Sequence, residues 1–230
     1  MKRFYKEADV APVGSGWQVT LDGRGIKTPS GKPQIVPARG LAKAMAEEWS
    51  GQSEQISPDS LILRDLADFA IDVVAPGRAA TIAALLGFAE TDTLCYRAEP
   101  HDALFARQID VWEPLLTAAE ANWEVGFERI SGVIHRRQPA ATLGRLEQIL
   151  SAQSDFALSG LTTLASMAAS LVIALSAQQP GSTAAALWDA ANLEEDWQAD
   201  LWGKDAEAQA LRSRKLRLFQ TAHHFIELLG

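Results

Sequence analysis

Apolar and polar residues alternate near the start of the chain, and this pattern predicts short β-strands. The alternation starts at Trp17 and continues to residue 21, as in a strand with one buried face. Asp22 and Gly23 follow at once, a dipeptide favoured where both central residues of a tight hairpin turn need positive φ. Further strands over 25–28 and 34–36 would complete a small antiparallel sheet, in which we expect Trp17, Asp22 and Gly23 to be structural residues.

Beyond these turns, apolar residues recur every three or four positions, which predicts amphipathic helices. Leu41, Met45 and Trp49 mark the apolar face of the first helix, so we expect Trp49 to have a structural role as well. A second helix is expected to start at the Ser-Pro-Asp-Ser sequence 57–60 and to run through Val74. Its expected buried stripe consists of four large side chains: Ile62, Leu66, Phe69 and Val73.

Pro76 and Gly77 are expected to end the second helix, and we place a domain boundary at this pair. The predicted fold class is therefore α+β. A small antiparallel β-rich N-terminal domain with one or two helices covers 1–76, and a larger all-helical domain covers 77–230. The helices expected in the second domain cover 79–89, 101–120, 139–150, 155–177, 182–202 and 205–229.

Residues 155–177 are apolar nearly all round and are long enough to be considered as a transmembrane span. Several Ser and Thr residues interrupt the run, and no Lys/Arg anchors or aromatic belts flank it. We therefore expect a central buried helix, packed closely through small residues such as Gly160 and Ala165, and no stable insertion into a membrane.

Charge and cysteine content exclude several classes of protein. The net charge of −8 and the pI near 5.0 argue against binding to nucleic acid or to an anionic membrane, because both depend on basic residues. The single cysteine, Cys95, excludes an internal disulfide framework and any multi-cysteine metal site, and its apolar neighbours predict a buried thiol. Residues 1–10 contain no apolar targeting region, so we expect a cytoplasmic protein.

Local sequence contains no arrangement typical of catalysis or of cofactor binding. The Gly-Lys pair at 31–32 lacks the earlier glycine, the Ser/Thr and the following helix of a phosphate-binding loop. Among the four histidines, His223 has a carboxylate partner at helical spacing, Glu227, but two ligands are a weak signal for a metal site. We predict no catalytic residue, no metal site and no cofactor.

The stretch LEEDWQADLWG, residues 193–203, combines acidic and aromatic side chains on a predicted helix. Its apolar residues fall on one helical face, and Glu194 and Glu195 lie with other acids on the remaining faces. Such a stretch is most often a solvated acidic face. The tryptophans Trp197 and Trp202 favour an interaction surface instead, because aromatics beside charges are typical of binding hot spots.

Four blocks occur in order along the chain: RFYKEADV, GWQVTLDGRGIKTPSGKP, EEWSGQSEQI and LEEDWQADLWG. Together they resemble the F1-ATPase assembly chaperones of mitochondria and alphaproteobacteria, from residue 3 to about residue 220. The resemblance implies a β-rich domain followed by a helical one, and a protein that binds the free F1 α subunit until the β subunit replaces it. By the family pattern Glu194 matters for the partner contact, whereas Trp197 stands where a smaller aromatic is expected.

The predicted function is therefore that of an ATP-independent assembly chaperone for the F1-ATPase α subunit, with Glu194, Glu195, Trp197 and Trp202 in the partner-binding site. One alternative is a small-molecule or metal-dependent enzyme whose site lies between the two domains. That site would use His223, Glu227 or the acids at 194–196. A second alternative is a structural subunit that remains in the final complex.

Overall fold

The computed structural model describes residues 1–132, 135–203 and 206–230, and the chain divides into two compact units. The unit that we call the sheet unit contains residues 1–78, 154–160 and 221–230. The other, the helical unit, contains residues 79–153 and 161–220. The predicted α+β fold class, a small antiparallel sheet followed by a larger helical region, is confirmed. The division into a β-rich domain over 1–76 and a helical domain over 77–230 stays a prediction.

Four short antiparallel strands form the sheet: β1 (Ala8–Val13), β2 (Gly16–Leu21), β3 (Arg24–Gly25) and β4 (Ile35–Val36). The strand order is β1-β2-β3, and β4 also pairs with β2. The predicted hairpin turn is confirmed, since Asp22 and Gly23 have φ values of 48° and 78°. The Asp22 carboxylate also accepts hydrogen bonds from the backbone N–H groups of Lys6 and Glu7, at 3.0 and 2.9 Å, and so ties the N-terminal segment to the turn.

Helix α1 (Arg39–Ser50) packs its predicted apolar face into the core, and Leu41, Met45 and Trp49 are all buried. The Tyr5 hydroxyl donates a hydrogen bond to the Trp49 carbonyl at 2.6 Å, and the two rings meet edge to face. Trp17 is half-buried, with the Arg39 guanidinium 5.1 Å from its ring centroid. Both tryptophans thus make contacts inside the sheet unit.

The helical run after residue 61 differs from the prediction. It consists of α2 (Ile62–Phe69), a π-helical turn over Ala70–Val74 and α3 (Ala75–Glu90), and it passes through Pro76 without ending. A proline ring clashes with the carbonyl four residues earlier in an α-helix, and the wider π turn just before Pro76 relieves that clash. The chain instead departs from helical geometry at Gly77, with φ −120° and ψ 28°.

The predicted buried stripe of this run is confirmed only in part, since Leu66 is buried but Ile62 and Phe69 are half-buried. Leu63, Leu66 and Val74 are buried with the alanines between them, whereas Val73 is 49% exposed. Small alanines fill the buried face, so the spacing of the large residues alone gave the wrong helical phase. The π turn then shifts the phase again, because it places an extra residue in one turn.

By length and composition alone, the helical run Ile62–Cys95 is apolar enough to cross a membrane, since an 18-residue window within it has a mean hydropathy of 1.5. Core helices of soluble proteins and signal sequences have the same properties, so one such run is weak evidence. The prediction that the chain does not insert stably into a membrane stays a prediction.

The helical unit holds a parallel pair of two-residue strands, β5 (Tyr96–Arg97) and β6 (Ile130–Ser131), beside the helices. Its helices are most of α3, together with α4 (Ala103–Trp123), α5 (Ala140–Ala152), α6 (Asp155–Ala168), α7 (Leu171–Ser176), α8 (Ala184–Ala191), α9 (Leu193–Trp202) and α10 (Ala206–Glu227). Three of them, α3, α6 and α10, begin or end in the sheet unit. The predicted start of the last helix, residue 205, lies outside the described residues.

Two segments predicted as single helices are each two helices. The run 155–177 is broken at Ala169, which has a φ of 47°, and Ser170 then caps α7 by accepting a hydrogen bond from the Ile173 N–H at 3.0 Å. The run 182–202 is broken at Asn192, between α8 and α9. Apolar periodicity continues across both breaks, so the sequence pattern does not reveal them.

Candidate partner-binding surface

Helix α9 carries the acidic and aromatic residues of the C-terminal block. Its first turn contains three acids, a placement that the positive end of a helix dipole favours. Its apolar stripe is buried only at the start: Leu193 is buried, Trp197 is half-buried and Leu201 is 64% exposed. The helix is therefore packed against its own unit at the N-terminal end and faces solvent at the C-terminal end.

Large apolar side chains are exposed at the C-terminal end of α9 and on α10. Trp202 is 85% exposed and Leu211 is 53% exposed. Together with Leu201, they account for three of the six large hydrophobic side chains that are exposed in the described part of the chain. An exposed tryptophan is uncommon on a monomeric surface and typical of the anchors that bind protein partners.

A cavity of about 1020 Å³ lies beside these residues in the helical unit. Trp197 lines it together with residues of α4, α8, α9 and α10. Among the described residues, its charged lining comprises four acids and two arginines: Asp189, Glu195, Asp196, Asp200, Arg107 and Arg212. The excess of carboxylates gives the cavity a negative potential, which suits a partner with basic residues.

Arg212 on α10 is paired inside the unit. It forms a bidentate ion pair with Asp196, in which Nη2 donates to Oδ2 at 2.7 Å. The hydrogen bond to Asp196 raises the pKa of the Arg212 guanidinium, so the charge is fixed at any physiological pH. At least one acid of α9 is therefore paired with a basic residue of α10 within the protein.

Glu194 is exposed, yet its carboxylate accepts a hydrogen bond from a buried side chain of the same unit. The fully buried Gln108 on α4 donates a hydrogen bond from Nε2 to Glu194 Oε1 at 2.6 Å. The Gln108 Oε1 atom accepts from the Ala98 N–H at 2.8 Å, and its main-chain carbonyl accepts from Arg97 Nη1 at 2.9 Å. The predicted partner residue thus rests on a buried polar side chain that sequence reasoning had not identified.

The buried arginine below Gln108 belongs to a chain of ion pairs. Arg97 Nη2 lies 3.0 Å from Glu113 Oε2, and Arg129 Nη2 lies 2.7 Å from Glu113 Oε1. Arg129 also pairs with Glu120. Burial lowers the pKa of Arg97, but Glu113 acts in the opposite direction and keeps the guanidinium charged. This network fixes the part of α4 on which Glu194 rests.

Comparison with known proteins decides the family. Residues 2–120 match the model of the ATP12 chaperone protein family, which is more than half of the chain. The chain belongs to the ATP12 chaperone family. This family acts in the assembly of F1-ATPase. The block 193–203 lies outside the matched residues, so the match does not test the roles of Glu194, Glu195, Trp197 and Trp202.

Solved ATP12 structures have the same fold along the whole chain. Atp12 from Paracoccus denitrificans is 31% identical, with a TM-score of 0.93 over 100% of this chain and 98% of that one. A protein from Agrobacterium tumefaciens is 35% identical, with a TM-score of 0.95 over 100% of this chain and 86% of that one. Mitochondrial protein atp12 from Schizosaccharomyces pombe is 26% identical over 231 residues, which cover 94% of this chain and 78% of the fungal protein.

The residues considered for an enzyme site are divided between the two units. His223 and Glu227 belong to the sheet unit, with His223 Nδ1 3.5 Å from Glu227 Oε1, whereas Glu194 and Glu195 belong to the helical unit. In the described ranges, no three His, Cys, Asp or Glu residues are grouped so that they could hold a metal ion. Cys95 is buried, as predicted, and burial raises the pKa of its thiol, so the reactive thiolate is disfavoured.

Proposed function

We propose that this chain is an ATP-independent assembly chaperone that binds the unassembled F1-ATPase α subunit and prevents its aggregation until the β subunit pairs with it. The observation that carries the proposal is the exposed C-terminal end of α9, with Trp202 at 85% exposure beside an acid-lined cavity, in a member of the ATP12 family. We refer to the α subunit as the client.

The chemistry of the surface fits transient protection of a client. An unassembled subunit exposes apolar surface that it later buries, and such surface promotes aggregation. A protective partner has to bind this surface and later give it up to another subunit. A few exposed aromatics among charges meet both needs better than a wholly apolar face, because they confer specificity without a very large buried area.

We assign Glu194, Glu195, Trp197 and Trp202 to the client-binding surface. All four residues lie on α9, with Glu194 and Glu195 in its first turn. Glu195 and Trp197 also line the cavity, and Trp202 is 85% exposed, which supports this assignment. The residues Trp17, Asp22, Gly23 and Trp49 are assigned structural roles, because the contacts of the three side chains lie inside the sheet unit and Gly23 forms the hairpin turn.

We further propose that the protein acts in the cytoplasm of a bacterium. The solved relatives from two bacteria are 31% and 35% identical to this chain, whereas the mitochondrial relative is 26% identical. The corresponding place for the eukaryotic relatives is the mitochondrial matrix.

The proposal is tested by aggregation of purified F1 α subunit, followed by light scattering on dilution from denaturant. The wild-type chain should suppress scattering without ATP, and Glu194→Lys should lose most of the suppression while keeping the wild-type thermal unfolding midpoint to within a few degrees. Glu147→Lys is the matched control, since Glu147 is an exposed acid on α5 of the same unit. Equal suppression by wild type, Glu194→Lys and Glu147→Lys would disprove the assignment of Glu194. A wild-type chain that fails to suppress scattering would disprove the function.

A further inference from the structure

Gln108 is a buried polar side chain that hydrogen-bonds to the first turn of α9. It lies on α4 with no exposed surface, and both polar atoms of its amide have partners. One partner is the backbone N–H of Ala98, next to strand β5, and the other is the carboxylate of Glu194. A buried amide is costly unless it is fully hydrogen-bonded, so Gln108 and Glu194 depend on each other.

A second contact of the same kind lies one turn further along α4. The Trp112 Nε1 atom donates to the Ala190 carbonyl at 2.8 Å, near the end of α8. Gln108 and Trp112 are four residues apart and therefore share one face of α4. This face binds the end of α8 through Trp112 and the first turn of α9 through Gln108, on the two sides of the break at Asn192.

The hydrogen bond to Glu194 holds the first turn of α9, together with the buried side chain of Leu193 and the ion pair between Asp196 and Arg212. Glu194 lies in the first turn of a ten-residue helix, and the other proposed client-binding residues follow on the same helix. The C-terminal end of α9 is exposed and has little packing of its own, since Leu201 and Trp202 both face solvent. A change of angle at the first turn would therefore displace Trp197 and Trp202 most.

We propose that Gln108 is a positioning residue of the client-binding surface, which acts through the hydrogen bond that Glu194 accepts. This inference rests on the proposed function. It assigns Glu194 a specific role: the residue serves as a hydrogen-bond acceptor that anchors α9, and its negative charge is not what the client recognises. An uncharged side chain that keeps the acceptor should then replace Glu194.

Two uncharged variants of Glu194 separate these roles. Glu194→Gln keeps a carbonyl oxygen for Gln108 Nε2, whereas Glu194→Met has a similar length and no acceptor. Glu194 is exposed, so both variants should fold. In the light-scattering assay with F1 α subunit, we expect Glu194→Gln to need at most about twice the wild-type concentration for half-maximal suppression, and Glu194→Met to need about ten times as much.

A swap of the two side chains provides the rescue. Gln108→Glu alone places a second carboxylate next to that of Glu194 and should weaken suppression about tenfold or more. In the double variant Gln108→Glu/Glu194→Gln, the side chain at 194 becomes the donor and the side chain at 108 becomes the acceptor. The side chain at 108 also keeps an oxygen that can accept from the Ala98 N–H. We expect it to recover suppression to within about threefold of wild type. Hydrogen exchange of the backbone amides of 193–202 should be faster in Gln108→Glu and near the wild-type rate in the double variant.

Several results would overturn the inference. Equal losses in Glu194→Gln and Glu194→Met would show that the charge itself is recognised, and the proposed function would stand. Unchanged suppression in Glu194→Met, or no rescue by the double variant although its amides exchange at the wild-type rate, would also overturn it. A wild-type chain that does not suppress scattering would instead refute the proposed function. In that case the exchange rates alone decide whether Gln108 anchors α9.

Discussion

Replacing Asp92 with alanine is expected to destabilise the helical unit strongly, because this carboxylate supports the break between α6 and α7. Asp92 has no exposed surface. Its oxygens accept hydrogen bonds from the backbone N–H groups of Leu94 at 3.1 Å and Val172 at 2.9 Å, and the Ser170 side chain is a further partner. Asp92 thus closes the 3-10 turn Thr93–Cys95 and caps the first turn of α7.

The size of the effect follows from two opposing contributions. Alanine would leave about three buried donors without a partner, at about 1–3 kcal/mol each, or about 6 kcal/mol in all. The variant also removes a buried charge, and burial raises the pKa of Asp92 from 3.8 to about 6. That shift corresponds to about 3 kcal/mol in favour of the variant at neutral pH. The expected net loss in the free energy of unfolding is about 3 kcal/mol at pH 7.

The pKa shift also fixes how this loss changes with pH. The folded state of the wild type holds the Asp92 proton more tightly than the unfolded state, so this group stabilises the wild type below pH 3.8 and loses that contribution as the pH rises through about 6. Between pH 7 and pH 5 the wild type gains about 1 kcal/mol from this group, and Asp92→Ala gains nothing from it. The difference between the two proteins should therefore widen on acidification.

Urea unfolding at pH 7 and pH 5, followed by far-UV circular dichroism, measures the loss in the free energy of unfolding and its change with pH. The comparison requires that the free energy of unfolding falls with urea concentration at the same slope in the two proteins. Asp72→Ala is a suitable control, because it removes an acid that is only half-buried. Its carboxylate lies in the sheet unit, and hydrogen bonds from Ser30 and Thr28 lower its pKa below the usual 3.8, so its effect on stability should be the same at pH 7 and at pH 5. A loss below about 1 kcal/mol for Asp92→Ala, or a difference that narrows at pH 5, would contradict the reasoning.

Two further predictions concern single side chains. Trp202→Ala should leave the thermal midpoint unchanged to within about 1 °C, because Trp202 is 85% exposed, and should weaken suppression of F1 α subunit aggregation about tenfold; normal suppression would remove Trp202 from the proposed surface. Gly160→Ala should cost about 1–3 kcal/mol in urea unfolding, because its Cβ would lie 2.7 Å from Ile226 Cγ1. A neutral Gly160→Ala would show that this contact relaxes freely.

Local turn chemistry was predicted well from sequence because a few residues determine it. Asp22 and Gly23 both have positive φ, as their dipeptide indicated, and the face of α1 around Met45 is buried as its spacing indicated. Strand β1 was missed because Asp9 and Pro12 are disfavoured in strands. In the structure both suit an edge strand, since Pro12 has no N–H to offer and the Asp9 carboxylate accepts the Val10 N–H at 2.7 Å.

Helix breaks were predicted poorly because distant side chains help to fix them. The break at Ala169 is held by Ser170 nearby, but also by Asp92, which is 80 residues from its partner Val172. No periodicity in the sequence contains that information. Conversely, Pro76 looked like a helix end, and the π turn before it allows the helix to continue.

The same limit applies to the proposed client-binding surface. Its exposed residues, such as Trp202, could be picked out from the sequence because an acidic stretch with two tryptophans is unusual in composition. The contact between Gln108 and Glu194 could not be predicted from the sequence. Gln108 is an ordinary polar residue on a helix, and only the fold brings it to Glu194, 86 residues away.

A rigidly anchored α9 also fits a partner that must let its client go. Ordering a loose helix on binding would reduce affinity, so a protein with few contact residues gains from a helix that is already in place. With the first turn of α9 held by Gln108, a small number of aromatic contacts can protect the proposed client, and the buried area can stay small. Loosening the anchor should then act mainly on dissociation, since related complexes differ mostly in koff. A faster release of F1 α subunit from Gln108→Glu, at an unchanged association rate, is the kinetic result that this arrangement predicts.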